Sequence, residues 1–79
     1  MELSTNEFYC LCDCMNGHFW DKNFSAKDEI LPNLEDCLVD GLAEKWNIDG
    51  KELLSKIKKA EEKEIGKVKK EIIEYFENN

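Results

Sequence analysis

Cys10, Cys12 and Cys14 stand at alternate positions in the run Cys10-Leu11-Cys12-Asp13-Cys14, and the single histidine, His18, follows four residues later. With Cys37 this gives five soft ligands, enough for a tetrahedral zinc site drawn from Cys10, Cys14, His18 and Cys37. The spacing points elsewhere. Zinc ribbons and fingers use C-x₂₋₄-C on a tight turn, whereas C-x-C-x-C within a helical pattern puts Cys12 nearly opposite Cys10 and Cys14. A redox switch needs a positive surrounding to lower a thiol pKa, and Glu7 and Asp13 supply the opposite sign. The leading expectation is therefore reduced cysteines packed as small apolar residues, with no cofactor. A cysteine-based zinc-binding or redox-responsive regulator is the alternative.

No other constellation points to catalysis. His18 has no nucleophile at a readable spacing, and the four glycines (17, 41, 50, 66) are too scattered for a phosphate loop. The sequence thus reads as non-enzymatic.

Charge is the second feature with functional content. The net charge is −7, there are eleven lysines, and no arginine is present. Residues 1–44 hold ten acids and two lysines, a net of −8, while residues 45–79 hold eight acids and nine lysines, a net of +1. Such a surface repels nucleic acid and anionic membrane and attracts a basic protein partner, although ordinary solubility also accounts for charge of this size. The candidate partner-binding residues are Asp28, Glu29, Glu35, Asp36, Asp40 and Glu44, with Trp20 and Phe24 as aromatic contacts; a homodimer through the same aromatics is a further option. The first residues, Met1 to Thr5, carry no base and no long apolar run, and nothing approaches the roughly 18 apolar residues that cross a bilayer. The expectation is a cytoplasmic protein with reduced thiols.

The elements that position these residues read as helices. At 42% apolar content, 79 residues suffice for one small core, and the period is helical outside an irregular segment over about 17–32, so the expected fold is an all-α single domain of four to five short helices. Ser4-Thr5-Asn6-Glu7 is a capping box opening a helix over about 5–16, with Phe8, Leu11, Cys12 and Met15 on its apolar face and Asn16-Gly17 as its stop. Phe19, Trp20 and Phe24 fall in an irregular segment and fold back as a lid on the core, or else form an exposed patch. Ser25 caps a short turn through Leu31, and Pro32 opens a second helix at its first position, running to Trp46 with Leu31, Leu34, Leu38 and Leu42 as its stripe. Gly41, mid-helix, allows another helix to approach. Asp49-Gly50-Lys51-Glu52 is a second capping box. A single helix from 50 to 77 would be about 42 Å long and would put Glu61 and Glu64 on the apolar stripe, so a break is expected near Ala60–Glu62. The expected core is Phe8, Leu11, Met15, Leu34, Leu38, Leu42, Trp46, Leu53, Ile57, Val68, Ile72 and Phe76.

The stretch Asp36 to Gly50, with its Leu42-x-x-Lys45-Trp46-x-x-Asp49-Gly50 run, resembles a segment in small helical proteins of bacterial mobile elements and phages. The Asp13…Asn16-Gly17 turn is similar too, so the resemblance spans about half the chain. Cysteines stand here where such proteins tend to carry apolar residues. The resemblance implies a genomic setting and, for small acidic arginine-free proteins of the anti-CRISPR type, inhibition of a host nucleic-acid-handling complex by occupying its basic groove. It assigns no binding residue.

Overall fold

A computed structural model describes residues 1–78. Among them are five helices and no strand: α1 (Thr5–Cys14), α2 (Ala26–Val39), α3 (Leu42–Lys45), α4 (Gly50–Lys59) and α5 (Glu62–Glu77). α2 is the hub and packs against each of the other four.

The first helix starts as its sequence dictates. Ser4 Oγ accepts from Glu7 N at 3.1 Å, and Glu7 Oε1 accepts from Ser4 N at 2.8 Å. α4 opens on Asp49, whose carboxylate accepts from Lys51 N and Glu52 N; the Glu52 carboxylate lies 3.8 Å from Lys56 Nζ, one turn on. The break between α4 and α5 falls at Ala60–Glu61, both in extended conformation.

The second helix differs from the sequence expectation at both ends. It begins at Ala26, capped by Ser25 Oγ, and carries Pro32 in its interior. The start is fixed from across the fold: Glu62 Oε1 and Oε2 accept from Ala26 N and Lys27 N at 2.6 and 3.2 Å. Pro32 lies on the exposed face and, as a proline, gives the Asp28 carbonyl no helical donor. In the same turn Asn33 Nδ2 donates to the Glu29 carbonyl at 2.8 Å. The far end is set by Gly41. At φ +91° it adopts the left-handed conformation that closes a helix, with its N–H donating to Leu38 O, so Leu42 to Trp46 form a separate short turn. Asn47, at φ 53°, closes that turn in the same way.

The core consists of Cys10, Leu11, Cys12 and Met15 from α1 and its C-cap, Ala26, Ile30 and Leu34 from α2, Leu53, Ile57 and Ala60 from α4 and its C-cap, and Ile65, Val68 and Ile72 from α5. Phe8, Leu38, Leu42 and Trp46, expected inside, only line its margin, and Phe76 is exposed. Leu42 and Trp46 lose full burial because Gly41 turns α3 off the α2 axis. Trp46 is instead pinned at the margin: its Nε1 and Lys45 Nζ both donate to Asp13 Oδ2, at 2.9 and 2.8 Å.

One junction ties three helices by their ends. Besides the Glu62 cap on α2, Lys27 Nζ donates back to the carbonyls of Lys58 and Ala60 at the end of α4. We expect Glu62→Ala to cost about 1–2 kcal/mol, near the upper range for losing a helix cap, as measured by urea unfolding. A loss below a few tenths of a kcal/mol would mean that the junction does not fix α2.

Candidate functional site

Three groups of chemistry-bearing side chains stand out from this frame: a buried acid under the loop between α1 and α2, the thiols, and the outer face of α2.

The first was not legible as a site in the sequence. Gly17, left-handed at φ +79°, ends the α1 region and turns His18 inward. His18 Nε2 lies 3.0 Å from Glu29 Oε1, and Asp21 N donates to the same oxygen at 2.8 Å. Lys69 Nζ, from α5, stands 3.9 Å from Glu29 Oε2 and 5.0 Å from the centroid of Trp20. The His18 and Trp20 rings meet edge to face at 4.7 Å. Glu29 is only 7% exposed, and its Oε2 has no hydrogen bond among the described residues. It therefore fastens residues 18–21 to α2 and α5, and its charge is not presented to a partner. Burial alone would raise its pKa, but the Asp21 N–H, His18 and Lys69 outweigh that and hold it below the ordinary carboxylate value. Trp20 is half-buried within this cluster, while Phe19 and Phe24 remain exposed, at 90% and 58%. The aromatic segment is thus lid and exposed patch at once.

Glu7 is the other buried acid. Lys56 Nζ donates to its Oε1 at 2.8 Å and ties α4 to α1. Burial again works against the charged form, and Lys56 with the Ser4 N–H overcomes it.

The thiols do not assemble as the zinc alternative requires. Cys10 and Cys12 are packed in the core, and His18 is engaged with Glu29. Cys14 and Cys37 lie close together where α1 meets α2, with Cys10 near both. Among the described residues no group of three or more His, Cys, Asp or Glu side chains could hold a metal ion. Burial pushes Cys10 and Cys12 to about 11, helped at Cys10 by the charges of Asp13, Cys37 and Glu7, and burial with the Cys37 contact pushes Cys14 up as well. Thiols so disposed are poor nucleophiles near neutral pH.

The outer face of α2 carries Asp28, Pro32, Glu35, Asp36, Val39 and Asp40, all exposed, along about 18 Å of helix. Glu44 continues it on α3. No ion pair to Asp28, Glu35, Asp36, Asp40 or Glu44 is formed among the described residues, whereas Asp13, Glu7, Glu29, Glu52 and Glu64 each pair with a cation. The last turn of α2 contains no base, so its acids also oppose the helix dipole.

Because Glu29 and Glu7 titrate lower in the folded chain than the ordinary value of 4.5, their contribution is complete above that pH and is lost as pH falls below it. We expect stability to decline from about pH 4.5 downward. Glu29→Gln should cost about 1.5–3 kcal/mol at pH 7, as for a hydrogen bond to a charged group, and should flatten that decline in thermal melts across pH. An unchanged midpoint and slope would contradict the assigned role. Compared with family models, with curated proteins and with solved structures, the chain matches none.

Proposed function

We propose that this chain is a non-enzymatic protein-binding domain that sets the outer face of α2 against a basic surface of a nucleic-acid-handling protein and inhibits it, in the setting of a phage or mobile element. The observation that carries the reading is the unneutralised row Asp28, Glu35, Asp36, Asp40 and Glu44 on one exposed face, with no lysine interleaved. In α5, by contrast, acids and lysines alternate, as on an ordinary solvated surface. A row of fixed carboxylates on a rigid helix suits a cleft lined with lysine and arginine: it gives fast, steered association and rejects acidic partners.

The binding set is narrower than the sequence reading. Glu29 drops out because its carboxylate is held inside by His18, Asp21 N–H and Lys69. Trp20 belongs to the same cluster, which leaves Phe24, close to the Ser25 cap of α2, as the one of the two expected aromatic contacts that stays exposed, alongside Phe19.

The test is capture from a bacterial lysate on the immobilised chain, at low and high salt, with bound proteins identified by mass spectrometry. A nucleic-acid-processing protein should be retained at low salt and released at high salt. The triple variant Asp36→Asn/Asp40→Asn/Glu44→Gln should bind it about tenfold more weakly at low salt, since exposed pairs contribute about 0.2–1 kcal/mol each. Retention of the same protein by wild type and variant with equal affinity and equal salt dependence would overturn the reading.

A further inference from the structure

Beside the acidic face lies an apolar groove with a close glycine contact at one end. At the start of α4, a Cβ on Gly50 would stand 3.0 Å from Leu38 Cδ2 and 3.1 Å from Ala43 Cβ. Without one, α4 begins directly against α2 and α3, and an open channel of about 600 Å³ runs between them. Leu38, Ala43 and Leu54 form its floor, and Val39, 87% exposed, stands at its lip. An aliphatic side chain left in water among Glu35, Asp36 and Asp40 gains nothing from its position in the folded chain.

The two walls differ in charge. Glu35 and Glu44 line the α2–α3 side, continuous with Asp36 and Asp40, while the α4 side carries Lys51 and Lys58 with Asp49, whose carboxylate is turned to the first N–H groups of α4. We infer that this groove receives an amphipathic helical segment of the partner whose apolar stripe seats on Val39, Leu38 and Leu54 and whose cationic edge lies along the α2–α3 wall. The inference rests on the protein-binding reading above and names the kind of surface that reading requires. A second copy of the chain is a poorer occupant, because it brings another net charge of −7 to an acidic wall. An acidic helix meets the same repulsion. The opposed walls also fix direction, since a helix with a single cationic edge can satisfy the acidic wall in only one of its two rotations.

The experiment is an amide chemical-shift titration of the full chain with three synthetic helical peptides of equal length. One carries leucines on one face and lysines on the other, one carries the same lysines with glutamine and alanine in place of leucine, and one pairs leucines with glutamates. The leucine–lysine peptide should give saturable shifts at Leu38, Val39, Ala43, Gly50 and Leu54. Loss of the leucines, or the exposed substitution Val39→Gln, should each weaken binding about tenfold. Equal binding of both lysine peptides, unaffected by Val39→Gln, would overturn the groove while leaving the charged face intact. Failure of both lysine peptides to bind would overturn groove and face together. Shifts at the same residues on changing the concentration of the chain alone would identify a second copy as the occupant and overturn the inference in that way.

Discussion

The fold depends on how the N-terminal end of α2 is held. α2 packs against each of the other four helices, and its start is held both by the local Ser25 cap and by Glu62, 36 residues away. The Glu62 carboxylate closes the free N–H groups of α2, and Lys27 from that first turn closes the free carbonyls at the end of α4. The ends of α2 and α4 are thereby closed at a single junction, with the carboxylate supplied from the first turn of α5. In a chain of 79 residues, with a core built from thirteen apolar side chains, such polar closure carries a larger share of stability than it would in a larger domain.

Charge in this protein is sorted by position. Acids that face inward or between helices are paired: Glu7 with Lys56, Glu29 with His18 and Lys69, Asp13 with Lys45 and Trp46. Acids on the outward face of α2 are left bare, and those near its C-terminus stand against the helix dipole. The same helix thus has an inner edge that fastens the fold and an outer edge whose acids, Asp28 in the first turn apart, make no contact that holds it among the described residues. The groove on the α4 side adds an apolar element to that outer edge. A fold-stabilising role explains the inner set and leaves Glu35, Asp36 and Asp40 without a purpose inside the molecule.

Much of the architecture was legible in the sequence, because the determinants were local. The Ser4–Glu7 box, the Asp49 cap and the break at Ala60–Glu62 follow from short-range hydrogen bonding and apolar spacing. Where the sequence misled, the cause was long-range or conformational. Pro32 reads as a helix start because proline is disfavoured inside a helix; the Ser25 cap is visible, but that its turn runs on through Pro32 depends on Glu62 closing the same end from across the fold. Gly41 read as a packing glycine, since spacing cannot show that it turns left-handed and ends the helix. Cys10 and Cys12 both lie in the core because α1 is covered over more of its circumference than a single stripe implies. Glu29 read as a surface acid. Its position beside the Ala26–Ile30–Leu34 stripe, with the lone His18 in the preceding loop, was the signal that it turns inward.

The claim that the outer acids serve a partner and not the fold is tested most directly by the unfolding midpoint of Asp36→Asn/Asp40→Asn at low ionic strength. Each acid removed from the C-terminal end of α2 relieves about 0.3–1 kcal/mol of dipole and like-charge repulsion. A combined gain of about 1 kcal/mol corresponds to a rise of about 4–8 °C in a domain of this size. A higher midpoint is the expected result. A lower one would show that Asp36 and Asp40 stabilise the folded chain, and would contradict the division between an inner set of acids that holds the fold and an outer set kept for binding.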